Sequence, residues 1–252
     1  ISTLFHLPKP FEETLRMIPK LMTPFIELVD AGPHCLNPSR ILKLQELKES
    51  HDLSYSVHAP FTDVNISAYD PSIREAILRR IEKSIMWTSK LGGDYLVFHP
   101  GNYTALERAF PGEAWRINLR SVKRLVAYAD NLGVMTLIEN VPEPFPYVMK
   151  SVGDFERFYE EVGAKIDMVL DVAHANLRGE TLKFIERFGD RIAHVHVSDN
   201  TGDTDSHLKV GGGSIDWPRV MAALKTSPFD GWVTIESYEG VIESLRLLEE
   251  LK

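Results

Sequence analysis

Short apolar runs return eight times along the 252 residues of this chain, each followed by a longer stretch of helical periodicity. The runs are Ile1–Phe5, Phe25–Asp30, Leu53–His58, Tyr95–His99, Val134–Glu139, Ile166–Asp171, Ile192–Val197 and Trp232–Glu236. Apolar runs of this length between turn signals read as buried strands. The segment Pro71 to Lys90 shows the helical partner. Ile73, Ile77, Ile81 and Ile85 recur every four residues, Arg74, Arg79, Arg80 and Glu82 fall off that face, and Asp70-Pro71 makes an N-cap and N1 pair. Gly92, Gly133, Gly163 and Gly189 stand where helices should stop before the next strand. Strand, crossover helix and strand repeated in this way predict a single-domain (β/α)8 TIM barrel over residues 1–252. The alternative, an open doubly wound sheet, would place a glycine-rich phosphate turn after its first strand, and FHLPKPF has none.

Residues of metal-ligand type sit at or just beyond the ends of the last six runs. They are His58, His99, Glu139, Asp171 with His174, His196 followed by Asp205 and His207, and Glu236. Alternation puts Met135, Leu137 and Glu139 on one side of their strand, and Trp232, Thr234 and Glu236 on one side of theirs. Each strand is therefore apolar or small until its last inward position, where it turns acidic or imidazole. In a barrel of this kind those positions converge at the C-terminal mouth, where active sites are built. One such residue alone could be a helix cap or a hydrogen-bonded core histidine. Repetition at six strand ends points to divalent metal, because four carboxylates meeting at one mouth repel one another without cations.

Composition narrows the setting. The chain is 44% hydrophobic and 25% charged, enough for one sizeable core. With 28 basic against 36 acidic residues and a net charge of -8, no electrostatic case exists for nucleic acid or an anionic membrane, so an anionic substrate would need bound cations. Cys35 stands alone, which excludes an internal disulfide framework and fits a reducing, cytoplasmic interior. No apolar run approaches the roughly 18 residues of a membrane span, and no signal-peptide pattern is visible, although the chain starts at Ile1 rather than methionine. A soluble protein with no obligate protein partner is expected.

The metal-ligand pattern resembles the xylose isomerase-like TIM-barrel superfamily (AP endonuclease family 2), and within it endonuclease IV, an apurinic endonuclease with three zinc ions. The likeness runs from about Leu53 to Glu236 and is carried by FHPG, IEN, LDVAHAN and DTDSH. It implies that Glu139 bridges two ions, with His58 and His99 completing one zinc, Asp171, His196 and Glu236 a second, and His174, Asp205 and His207 a third. It further implies metal-assisted hydrolysis of a phosphodiester at abasic sites in DNA, with Glu139 and Glu236 at the centre of the chemistry. Two or three ions would suit it, zinc first, with manganese or another divalent cation open. His6 is what remains of the first-strand motif of endonuclease IV, and its DNA-gripping loops are not recognisable here. Phe61 lies three residues after His58, where the family places an aromatic that inserts into the duplex; a loop anchor is the plainer reading. HLKVGGGSIDW resembles the Gly-x-Gly-x-x-Asp-Trp region of sugar isomerases and epimerases in the same superfamily. Those enzymes need only Glu139, Asp171, His196 and Glu236, and would exchange a proton between adjacent carbons of a sugar or sugar phosphate. Charge separates the two chemistries. Three cations outweigh four carboxylates and a hydroxide and suit a phosphate, whereas one cation against three carboxylates suits a neutral polyol. The extra ligands favour the hydrolase.

The remaining polar residues have plainer readings beside functional ones. Lys209 and Arg178 lie in loops near the mouth and could contact an anionic substrate or be solvated. His194 shares a face with His196 one layer deeper, as a supporting partner or a satisfied core histidine. Gly211, Gly212 and Gly213 could turn amides toward a phosphate, or form a lid or simple turn. Glu27 on the second run could serve the site if its register allows. His34 and Cys35 in AGPHCLNP read as loop residues without chemical role, since no second Cys-His set with ligand spacing accompanies them.

Overall fold

Seven parallel strands in sequence order form the barrel wall. The computed structural model describes residues 1–252. Its strands are β1 (Phe25–Val29), β2 (Ser54–His58), β3 (Tyr95–Phe98), β4 (Met135–Glu139), β5 (Asp167–Asp171), β6 (Ile192–Val197) and β7 (Trp232–Ile235). Helix α1 (Phe11–Met17) precedes β1. The crossovers carry α2 (Pro38–His51), α3 (Pro71–Leu91), α4 (Glu113–Asp130), α5 (Val152–Glu161), α6 (Val172–Asn176) with α7 (Thr181–Phe188), and α8 (Trp217–Thr226), and α9 (Val241–Glu250) follows β7. No helix is long and apolar enough to cross a membrane.

The eighth stave is a correction to the sequence reading. Ile1–Phe5 is not a strand, because only its first two residues join the wall. Ser2 N donates to Ile235 O at 2.9 Å, and Glu27 N donates to Ile1 O at 2.9 Å, so one residue pair bridges β7 to β1. Thr3–His6 then turns into a 3-10 helix. Ser2 caps it, and the Thr3 hydroxyl accepts from Val29 N at 3.0 Å instead of continuing a ladder. Pro8 and Pro10 follow at once and have no N–H to donate.

Alternation along the strands sorts side chains to the two sides of the wall. Val97, Leu137 and Val169 fill the barrel interior as one small apolar layer. Their neighbours Leu96, Phe98, Ile138, Met168 and Leu170 point outward into the larger cluster shared with helix residues such as Leu44, Ile85, Leu125, Phe158 and Phe184. The apolar floor beneath the mouth is therefore thin. Polar groups already share its level, since His194 pairs with Val169 and His58 with Val97 across neighbouring strands.

Helix α3 keeps the stripe read from its sequence only in part. Ile81 and Ile85 are buried, but Ile73 in the first turn is 56% exposed, beyond the reach of the wall. Arg80, which the spacing put on the solvent face, reaches the fully buried Asp30 just after β1, with Nη1 2.9 Å from Oδ2 and Nη2 2.7 Å from Oδ1. Ser84 Oγ and Leu36 N complete that carboxylate's partners at 2.7 and 2.6 Å. Of the four helix-stopping glycines, Gly92, Gly133 and Gly163 have positive φ. Gly189 does not. It is required by close approach instead, since a Cβ there would lie 3.0 Å from both Ile185 O and Pro228 Cδ.

Candidate metal centre at the barrel mouth

All nine ligand-type residues named from the sequence meet at the C-terminal end of the barrel, because β2 to β7 each deliver their last inward side chain or the loop just beyond it there. Three groups whose ligand atoms lie within 4.8 Å of one another cover them all: Glu139, Asp171, His196 and Glu236; His58, His99 and Glu139; and His174, Asp205 and His207, with His58, His196 and Glu236 forming a further, overlapping set. Glu139 is shared by the first two. Asp171 and His196 have no exposed surface, while Glu139 and Glu236 reach a cavity of about 270 Å³ above them.

The hydrogen bonds aim the imidazoles. His58 Nδ1 lies 2.8 Å from Ala59 O, His174 Nδ1 2.8 Å from Asn140 O, and His207 Nδ1 2.8 Å from Glu236 O. A carbonyl only accepts, so each of these rings carries its proton on Nδ1 and turns Nε2 toward the acids. Those Nε2 atoms lie 3.2 Å from Glu139 for His58, and 3.3 Å from Asp205 for both His174 and His207. His196 is reversed. Its Nδ1 faces Glu139 and Glu236 at 3.3 and 3.4 Å, and its Nε2 faces Glu27.

The electrostatics show how many positive charges the acids require. Burial opposes ionisation of Glu139, but His196 and His99 outweigh it and hold its carboxyl well below the ordinary value. Burial pushes Glu236 up to about 7, with Glu27 and Glu139 adding to it against His196 and His58. Burial also raises Asp171, against the pull of His174. Burial works against the cationic form of His58, yet Glu139 carries it up to about 9. The same contest ends at about 9 for His207, beside Asp205, and at about 10 for His174, beside Asp171 and Asp205. Buried carboxylates here are neutralised by protons on imidazoles, the role a divalent cation would take over. Three carboxylate oxygens of candidate ligand groups are left without hydrogen-bond partners, Asp171 Oδ2, Asp205 Oδ1 and, one layer deeper, Glu27 Oε1. Histidine and carboxylate donors, oriented by outer hydrogen bonds and with idle oxygens among them, fit a divalent metal.

The other sequence candidates divide. Phe61 walls the cavity, its ring 5.3 Å from that of His58 and 5.9 Å from that of His99. His6 is not brought to the site: its Nδ1 pairs with Thr14 Oγ1 at 2.9 Å, toward α1, and Leu4 lines the cavity in its place. Arg178 is tied to Glu143 at 2.5 Å and to Glu180 at 3.3 Å, and Lys209 is exposed beside Gly240; neither lines the cavity. The glycines after Val210 do not present amides to a ligand. Gly211 N donates to Asp199 Oδ2 at 3.0 Å, and a Cβ on Gly213 would lie 2.2 Å from Asn200 O, so this loop is wrapped tightly on the protein itself. The sequence reading missed Phe145, Tyr147 and Tyr238, which close the rim from loops. Loop aromatics have no periodicity to betray them. It also left Glu27 unplaced, although a carboxylate in the middle of the apolar run FIELV is itself a signal.

A family model described as xylose isomerase-like TIM barrel matches residues 24–251. An uncharacterized protein of Methanocaldococcus jannaschii is 28% identical over 99% of this chain and 87% of its own length. Fructoselysine 3-epimerase of Shigella flexneri is 21% identical over 93% of this chain and 87% of its own length. The crystal structure of a D-tagatose 3-epimerase-like protein superposes with a TM-score of 0.93 at 27% identity, covering 100% of this chain and 95% of that one. These likenesses overturn the expectation of an endonuclease IV-like phosphodiester hydrolase acting on abasic DNA. The physical reason agrees: no lysine or arginine lines the cavity to meet a phosphate backbone.

Proposed function

Since the chain belongs to the xylose isomerase-like TIM-barrel family, we propose that it is a divalent-cation-dependent epimerase or isomerase of a small, uncharged sugar. The observation that carries this reading is a pair of buried carboxylates, Glu139 and Glu236, facing one cavity that contains no cationic side chain other than histidine. The cavity's volume of about 270 Å³ suits a monosaccharide or a slightly longer derivative. The names carried by the related 3-epimerases support the same class.

Glu139, Asp171, His196 and Glu236 would hold the cation, with zinc and manganese both compatible with such donors. When bound, it would supply Lewis-acid polarisation of the substrate carbonyl, which acidifies the neighbouring C–H. One of the two glutamates takes that proton from one face of the carbon, and the electron pair left behind delocalises into the carbonyl. The other glutamate returns a proton to the opposite face, which inverts the carbon. His58 and His99 on one side, and His174, Asp205 and His207 on the other, present polar atoms to the sugar hydroxyls. These two groups have the same donor types and could take further cations, and elemental analysis of reconstituted protein counts how many are held. Phe61, Tyr147 and Tyr238 supply apolar faces against which the carbon-bound hydrogens of a sugar can lie.

The test is incubation of zinc- or manganese-loaded protein in deuterated water with D-tagatose, D-psicose, D-fructose, L-ribulose and their phosphates. Interconversion with one deuteron gained at the inverted carbon, on the free sugars more than on the phosphates, is the expected result. Absence of exchange into every sugar of the panel by protein shown to hold its cation would overturn the proposal.

A further inference from the structure

Glu27 is a fully buried carboxylate, projecting from the middle of β1 into the barrel beneath the candidate ligands, and the chemistry above makes no use of it. Its two oxygens lie 3.2 and 3.3 Å from His196 Nε2. From the other side His194 Nε2 stands 3.2 Å from Oε2, and Ser56 Oγ donates to the same oxygen at 3.2 Å. His194 comes from β6 one layer below His196, and Ser56 is the residue paired with Glu27 across β1 and β2. Ser56 on β2 thus holds Oε2 by a hydrogen bond, His194 stands at ion-pair distance without one, and His196 is the imidazole that hydrogen-bonds the carboxylate.

We propose that Glu27 is a positioning residue that orients His196 as a metal ligand, keeping the ring proton on Nε2 and leaving Nδ1 bare toward Glu139, Asp171 and Glu236. The inference rests on the proposed role of His196 in the cation site. The comparison within the structure carries it. His58, His174 and His207 have Nδ1 anchored on backbone carbonyls and present Nε2 to the acids. His196 alone of these four is turned around, and at its outer nitrogen it meets a side-chain carboxylate in place of a main-chain carbonyl. A neutral imidazole has one N–H, and only the nitrogen without it can donate a lone pair to a metal. With acids on both sides of His196, nothing in the upper group chooses between the two nitrogens. Glu27 makes the choice because its oxygens touch Nε2 and lie outside the group formed by Glu139, Asp171 and Glu236. A carboxylate in this place also makes the ring a stronger donor than a carbonyl would.

The experiment compares Glu27→Gln and Glu27→Ala with the parent protein. Zinc affinity is measured by chelator competition, and the His196 ring protons are followed by proton-nitrogen NMR of the zinc-loaded form. Partners of this kind typically contribute about 10–100-fold in metal affinity. The expected result is a loss of that size for Glu27→Ala, a smaller loss for Glu27→Gln, which keeps an acceptor oxygen, and a downfield Nε2 proton in the parent that moves in Gln and vanishes in Ala. A merely structural role would lower the melting temperature and leave affinity and the ring proton unchanged, and that pattern overturns the proposal. So does a parent spectrum with no Nε2 proton on His196, which would put the cation among Glu27, His194 and His196 instead. If Glu27→Ala does not fold, Glu27→Gln decides: an affinity within twofold of the parent and an unmoved ring proton refute it. Failure of the parent itself to bind any cation would sink the functional reading as well, and is thereby distinguishable from failure of the Glu27 variants alone.

Discussion

Replacing Asp199 by asparagine should destabilise the protein far more than its conservative chemistry suggests. Asp199 is fully buried just past the end of β6, and its carboxylate is a four-way acceptor. Oδ1 takes Asn200 N at 2.9 Å and Ile215 N at 3.3 Å, and Oδ2 takes Gly211 N at 3.0 Å and the Trp217 indole at 2.7 Å. Asparagine keeps the shape but exchanges one oxygen for an NH2 group. Whichever way it is turned, two inward N–H donors then face another donor. A buried donor left unpaired costs about 1–3 kcal/mol, so two cost about 2–6 kcal/mol. For a chain of this size each kcal/mol moves the melting temperature by roughly 2–4 °C, giving a fall of roughly 4–24 °C. Thermal unfolding followed by circular dichroism, with tryptophan fluorescence reporting on Trp217, measures it. The loop from Leu208 to Asp216 should also exchange its amides faster, because the backbone pair between Asp199 and Leu208 sits beside His207. A melting temperature within about 2 °C of the parent would refute the reasoning, since it would mean that those donors find other partners at no cost.

Other outcomes follow from the same geometry. Glu139→Gln should retain the fold, bind zinc at least tenfold more weakly by chelator competition, and lose nearly all proton exchange into sugar, because Glu139 belongs to two ligand groups; exchange at the parent rate would remove Glu139 from the chemistry. In the cation-free protein the folded-state values of His58, His207 and His174 are raised to about 9, 9 and 10, burial being outweighed by the neighbouring acids. Raised values stabilise the fold fully below the unfolded histidine value of about 6.5 and are lost as pH climbs through 9 to 10, so the cation-free melting temperature should fall across that span. Zinc uptake must expel those protons, so affinity should rise with pH over the same window, and proton release on binding can be measured calorimetrically in buffers of different ionisation heat; a pH-independent affinity would contradict it. Arg80→Leu strands the buried Asp30 and should cost about 3–5 kcal/mol in urea unfolding, with a loss below 1 kcal/mol counting against the ion pair as the anchor of α3.

Much of this architecture can be read from residues alone, for reasons that are local. Strands β3, β4, β5 and β7 announce themselves because both faces of a barrel strand are covered, so the runs are largely apolar and the polar residue at or just after the end of each stands out, while β2 and β6 carry polar residues within the run as well. That is why Glu139 and Glu236 could be placed without coordinates. The first stave escaped because Ser2 and Thr3 spend their hydroxyls on a cap and on Val29 N, a competition between side chain and ladder that composition does not reveal. Arg80 and Ile73 exchanged their expected environments because helix periodicity gives a face and not the distance from the wall. The reaction class was the hardest step. One constellation of histidines and carboxylates serves hydrolysis with several ions or proton transfer with one, and what separates them is the absence of lysine and arginine from the cavity lining, a property of loops. Glu27 needed the barrel's closure to be known before its direction meant anything.

The anchoring of the histidines bears on how this mouth can change over generations. Ala59, Asn140 and Glu236 hold His58, His174 and His207 by main-chain oxygens, which every residue type possesses. The aim of these rings therefore does not depend on which side chain stands at the anchoring position, although the buried Asn140 side chain has a separate task, exchanging hydrogen bonds of 2.8 and 3.0 Å with the backbone of Asp171, and the rim aromatics can be exchanged to admit new substrates over a constellation that keeps its orientation. His196 lacks that insurance. Its aim depends on a side chain that one nucleotide change can remove, so lineages that diversify the rim should be free to do so while Glu27 stays fixed.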